Sequence, residues 1–147
     1  MKKPGALGEE LVGRWLQLQN YWLLEQNWRC RWGEIDLIAQ DKSTKAVAFV
    51  EVKTRSLRNW DEDGLLAIDA TKQQKLQRTA SLFLANFPHL ADLPCRFDVG
   101  LVGYHNCYQS SNSSLVLQKL NYLKIGQPVT LERYRLTIKN YLYSAFE

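Results

Sequence analysis

The chain has little of what most metal and redox chemistry in proteins is built from. Its three cysteines, Cys30, Cys95 and Cys107, are widely spaced and form no CxxC pair, whereas disulfide frameworks and zinc clusters need paired, closely spaced ligands. Its two histidines, His89 and His105, lie far apart and read as ordinary surface residues. That leaves a His-based metal centre or a Ser-His-Asp triad with little to stand on. No stretch approaches the roughly 20 apolar residues that span a bilayer. The opening segment, Met1 to Glu10, meets acids before any apolar run develops, unlike a signal peptide. A glycine loop of the kind that cradles phosphates is also missing. The expectations are a cytoplasmic protein without a membrane partner.

What the chain does have is apolar material and a basic bias. With 46% hydrophobic residues in 147, it can bury enough surface to fold alone, and its length predicts one domain over 1–147. Disorder of the whole chain is excluded, since disorder needs low hydrophobicity and high charge. The net charge of +4 is compatible with a polyanionic partner. Lysine and arginine gather at Arg29-Cys30-Arg31, Lys53 to Arg58 and Lys72 to Arg78, where acids are sparse.

Periodicity predicts an amphipathic helix from Leu7 to Leu18, with Leu7, Leu11, Trp15 and Leu18 on one face. Tyr21 to Leu24 reads as a connection or short strand. Arg31 to Ala39 reads as a turn feeding a strand, Asp41 to Lys45 as a hairpin loop, and Ala46 to Lys53 as a central strand buried on both faces. Ser56 to Gly64, with Asn59-Trp60-Asp61, is a polar loop. A second helix is predicted from Ala67 to Phe87, striped by Ile68, Leu76, Ala80 and Phe83, followed by a strand from Arg96 to Val102. Gln109 to Ser114 reads as a turn or insertion. The tail alternates at Leu115-Val116-Leu117 and at Tyr134 to Ile138, which predicts a hairpin and a short terminal helix. The fold class is therefore α/β, a mixed sheet with helices on it.

Three charges stand where apolar residues would fit. Glu51 and Lys53 are two apart on the central strand and share a face, and burying such ions costs several kcal/mol each, roughly, even after relaxation. Asp36 interrupts Ile35-Asp36-Leu37-Ile38. If the two strands pair across the Asp41 to Lys45 loop, Asp36 and Glu51 come together at its far end. Two facing carboxylates repel unless a cation lies between them, and Mg²⁺ suits such a site, since it keeps waters and takes phosphate oxygens. The plainer reading is a strand end emerging into solvent. Lys72 lies on the stripe of the second helix that should face the sheet. Either it snorkels outward or it aims a charge at the carboxylate end. Lys75 and Arg78 fall off that stripe, on an outer basic face. Periodicity makes Glu9 a solvated acid near a helix start.

The strings Gly8-Glu9, Asn27-Trp28-Arg29, Gly33-Glu34-Ile35-Asp36-Leu37-Ile38, Phe49-Val50-Glu51-Val52-Lys53-Thr54-Arg55, Lys72-Gln73-Gln74-Lys75-Leu76 and Arg96-Phe97-Asp98-Val99 resemble the bacterial YraN-like (UPF0102) family. That family is similar to archaeal Holliday junction resolvases and other PD-(D/E)xK nucleases. The resemblance covers about residues 8 to 103. Residues 106–147 form a divergent C-terminal extension, and Val12 replaces a residue usually small in the family. The resemblance implies a restriction-endonuclease-like fold, a central mixed β-sheet flanked by helices. It implies Asp36, Glu51 and Lys53 as the catalytic set, adds Glu9 as a further helical carboxylate, and puts Lys72 or Gln73 near the site. By analogy with resolvases, which cut two strands, it also allows a homodimer.

The function expected from these readings is a Mg²⁺- (or Mn²⁺-) dependent, structure-selective DNA endonuclease acting on branched or otherwise structured DNA. Asp36, Glu51 and Glu9 would be the metal ligands and Lys53 a catalytic partner. Arg29, Arg31, Arg55, Lys72 and Gln73 would contact substrate; phosphate contacts position a nucleic acid without reading its sequence. The alternatives are a non-catalytic nucleic-acid-binding module of the same fold and, with less support, a phosphoesterase acting on small nucleotides.

Overall fold

The computed structural model describes residues 1–59, 68–107 and 116–146. A six-stranded mixed sheet carries one long helix on each face. The first helix, α1 (Pro4–Leu18), starts with proline in its first turn, where a missing N–H costs nothing. Strands β1 (Tyr21–Cys30), β2 (Gly33–Asp41) and β3 (Val47–Ser56) follow as an antiparallel meander. The second long helix, α2 (Ala70–Asn86), is capped by Asp69, whose carboxylate accepts the Lys72 backbone N–H at 2.7 Å. A short α3 (Pro88–Ala91) leads to β4 (Cys95–Asn106), which lies parallel to β3. Strands β5 (Val129–Leu131) and β6 (Tyr134–Phe146) complete the sheet in the order β1-β2-β3-β4-β6-β5.

Alternation along β3 separates the two faces. Ala48 and Val50 pack with Leu11, Trp15 and Leu16 of α1, while Val47 and Phe49 pack with Leu76, Ala80 and Phe83 of α2. Central strands buried on both sides account for the near-continuous apolar run read from the sequence. No helix among the described residues is long and apolar enough to cross a membrane.

Several expectations are corrected. The segment from Tyr21 is a ten-residue edge strand, and its period-two signal is scrambled by a bulge between Leu23 and Glu25. No terminal helix follows the last hairpin among the described residues; β6 is a strand of 13 residues along β4. Leu136, Ile138 and Tyr141 supply its buried apolar positions, and without it β4 would present an unpaired edge. Leu117–Lys119 is a 3₁₀ turn rather than part of a hairpin, and the observed tail hairpin is β5–β6. Leu57–Asn59 also forms a 3₁₀ turn. The rest of the polar loop expected to Gly64, and the Gln109 to Ser114 stretch, lie outside the described residues.

Candidate active site

Strands β2 and β3 part company where the charges begin. Their ladder runs from Gln40↔Val47 to Leu37↔Val50, and the next pair in that register would be Asp36 and Glu51. There the Val52 N–H bonds the Asp36 carboxylate at 2.8 Å. The neighbouring strand is irregular at the same level. Asn27, which the β1–β2 register sets opposite Asp36, has φ +51°, a left-handed conformation that asparagine tolerates better than most residues. Ile35 and Ile38, three apart, both pack beneath α2, so strict alternation is lost around Asp36.

Glu9 arrives from α1 because the helix approaches β3 very closely. A Cβ added to Gly8 would lie 2.2 Å from Thr54 Oγ1, so only glycine fits there. Val12, one turn further, is fully buried over Gly100, where an added Cβ would meet its methyls at 3.2 Å. The larger residue at position 12 is thus accommodated by the bare backbone beneath it.

Carboxylate oxygens of Glu9, Glu34 and Asp36 all lie within 4.8 Å of one another. The Asn27 amide, with its nitrogen turned toward them, donates to Glu9 Oε2 at 3.2 Å and to Glu34 Oε1 at 2.7 Å. Burial and then the nearby Glu51 carboxylate push the Asp36 pKa up to about 8. Glu9 is also raised, chiefly by burial, although a hydrogen bond from Asp36 and one from Asn27 oppose the shift. Carboxylate oxygens set this close, once deprotonated, have the chemistry that a hard divalent cation takes as ligands.

Glu51 stands outside this trio but near enough for its charge to act on Asp36 and Glu9. Its Oε1 pairs with Lys72 Nζ at 3.2 Å, and its side chain is only 12% exposed. Lys72 therefore points inward from α2. Lys53, on the face of β3 shared with Glu51 and half-buried, has no hydrogen-bond or ion-pair partner among the described residues. Gln73, expected near the site, donates to the Ile68 carbonyl at 2.8 Å and so braces the start of α2.

The remaining basic candidates occupy the rim. Arg29 Nε bonds Glu34 Oε2 at 3.1 Å, Arg55 is exposed and bonds the neighbouring Thr54 carbonyl, and Arg31 lies over the Trp32 ring. Asn27 and Glu34 are the participants that residue-level reading missed. Glu34 carried a usable signal, being two residues before Asp36 on one strand. Asn27 carried none, because its role depends on an irregular backbone.

The model of a family described as "Uncharacterised protein family UPF0102" matches residues 8–102. A UPF0102 protein of Synechocystis sp. is 45% identical over 99% of this chain and 99% of its own length. One from Trichodesmium erythraeum is 44% identical over 97% of this chain and 87% of its own, and one from Thermosynechococcus vestitus is 52% identical over 69% and 82%. The first two alignments span nearly the whole chain, C-terminal strands included. The family model reaches from the Gly8–Thr54 contact through all five site-bearing elements, α1, β1, β2, β3 and α2, and the chain belongs to UPF0102.

Proposed function

We propose that this protein is a Mg²⁺- or Mn²⁺-dependent endonuclease that hydrolyses phosphodiester bonds in structured DNA. The observation that carries the reading is the convergence of Glu9, Glu34 and Asp36 beside the Glu51-x-Lys53 strand end. Those carboxylates, with Glu51, would hold the cation, which when bound polarises a phosphate and lowers the pKa of its water.

The chain's own groups have distinct tasks in this reading. The Val52 N–H fixes the orientation of Asp36, and Asn27 holds Glu9 and Glu34 in place. Lys53 offers an ammonium with no carboxylate partner among the described residues, able to orient the attacking water or to stabilise charge on the phosphoryl oxygens. Lys72 steadies Glu51. Arg29, Arg31 and Arg55 would meet the sugar–phosphate backbone, where they position the substrate without reading its bases.

The test is incubation of the pure protein with labelled branched, flapped, single-stranded and duplex DNA in Mg²⁺ or Mn²⁺. Metal-dependent cleavage is expected, with Lys53→Ala slowing it by about 10²–10³-fold and Asp36→Ala abolishing it. Binding by the wild type without cleavage in either metal would overturn the proposal in favour of a non-catalytic module.

A further inference from the structure

The β1–β2 turn carries a tryptophan that the site chemistry does not use. Cys30 pairs with Gly33, leaving Arg31 and Trp32 at the tip, and Gly33 adopts φ +150°. The Trp32 side chain is 39% exposed where a large apolar ring gains nothing from the core. Two guanidinium groups lie on it, Arg31 at 4.8 Å from the ring centroid and Arg78 at 5.1 Å. Neither has a carboxylate partner among the described residues. An open groove of about 770 Å³ runs from Trp32 along α2 past Gln74, Arg78 and Leu82.

The position of this turn ties it to the carboxylates. Trp32 is four residues before Asp36, so at a strand rise of about 3.3 Å per residue the two are within about 13 Å. On the other side, α2 links the same two places. Lys72 pairs with Glu51, Lys75 is exposed, and Arg78 reaches Trp32. The six-residue step covers about 9 Å of helix axis, and α2 contains no acid along its length. A line of cations ending at a partly exposed aromatic ring matches a nucleic-acid strand, whose phosphates draw the guanidinium groups and whose bases stack on the ring in their place.

We propose that Trp32, flanked by Arg31 and Arg78, is a stacking site for an unpaired nucleobase, so that the protein selects DNA with a single-stranded segment beside the carboxylate cluster. The proposal deepens the nuclease reading and rests on it for the meaning of that selection. A base held inside a duplex already has its stacking partners and gains nothing from the ring. The other exposed tryptophan on this hairpin, Trp22, serves as an internal contrast. It also has cations nearby, Lys45 at 4.6 Å and Lys42 at 5.8 Å. However, it pairs with Gln40 at the opposite end of β2, and Lys45 Nζ is engaged by the Lys42 carbonyl at 2.7 Å.

The experiment measures binding of a 2-aminopurine-labelled single strand and of its fully paired duplex, in EDTA so that no cleavage intervenes. Wild-type protein is expected to quench the single strand and to prefer it over duplex. Trp32→Ala should weaken single-strand binding by about 5- to 100-fold, the usual span for losing one base–aromatic stack. Duplex affinity should change by less than about twofold, since phosphate contacts persist. Trp32→Phe should retain most of the preference, and Trp22→Ala all of it. Loss of affinity in an Arg31→Gln/Arg78→Gln double variant that keeps the tryptophan would give independent support. The proposal is overturned if Trp32→Ala binds single strand like wild type, if it loses both forms equally, or if wild type has no preference or binds neither. Failure of the nuclease reading looks different: wild type would cut nothing in Mg²⁺ or Mn²⁺ while the binding preference in EDTA still depends on Trp32.

Discussion

Two aspartates flank β3, Asp98 fully buried and Asp36 partly buried, and they are treated in opposite ways. Asp98, on β4, has no exposed surface, yet it receives Arg96 Nε at 3.0 and 3.1 Å, the Tyr141 hydroxyl at 2.7 Å and the Ser144 N–H at 2.9 Å. Arg96 in turn donates to the Tyr21 hydroxyl and lies over the rings of Tyr21 and Tyr143. Burial, and next the Asp98 charge, raise the Tyr141 pKa, so the hydroxyl stays a donor. Asp36, on β2, has one backbone N–H and otherwise faces Glu9, Glu34 and Glu51. Burial of a carboxyl group is therefore common to a structural staple and to a candidate reaction centre. The difference lies in who the neighbours are: donors stabilise Asp98, whereas burial beside further carboxylates holds a proton on Asp36.

The sharpest way to break this contrast is to remove each carboxylate in turn. Asp98→Ala would leave the Arg96 charge and the Tyr141 hydroxyl unpaired inside the protein, and a loss of about 3–5 kcal/mol is expected from urea unfolding. Asp36→Asn should act with the opposite sign. With its pKa near 8 rather than 3.8, folded Asp36 keeps a proton that the unfolded chain has released between those two values. Wild-type stability in EDTA therefore falls as pH rises from about 4 to about 8. The asparagine variant should flatten that slope and be more stable at pH 8 by on the order of 2 kcal/mol, with a smaller gain at pH 5. Equal destabilisation by both substitutions would erase the distinction. The smallest effect is expected for Arg29→Gln, since its pair with Glu34 joins side chains that are 74% and 35% exposed. Unfolding should shift by less than about 1 kcal/mol, and a larger loss would mean that the cluster leans on its rim for stability.

The sequence made some of this legible and concealed the rest for physical reasons. Asp36, Glu51 and Lys53 were readable because each interrupts or ends an apolar run, and the register they implied is the one observed up to Leu37↔Val50. Lys72 was readable from helical phase, and its inward alternative is the one realised. Glu9 was not readable from periodicity, which sees a helix-start acid. Its burial follows from the Gly8–Thr54 approach, a long-range contact. Asn27 depended on a left-handed backbone in an edge strand. Trp32 looked like an ordinary turn residue until Arg78 arrived from α2. In the tail, the hairpin read at Tyr134 to Ile138 is observed as β5–β6, but the rest of β6 was mistaken for a short helix because bulges opposite Phe97/Val99 and Leu101/Val102 break its alternation.

The central claim is that the Glu9, Glu34 and Asp36 cluster takes a divalent cation in place of its protons. Calorimetric titration of the protein with Mn²⁺ between pH 6 and pH 9 tests it most directly. The account predicts saturable binding at pH 9 that weakens below pH 8 by about tenfold per pH unit as one proton must be displaced, and that is lost in Asp36→Asn. Binding that is absent at every pH, or that survives in Asp36→Asn with unchanged affinity, would contradict it.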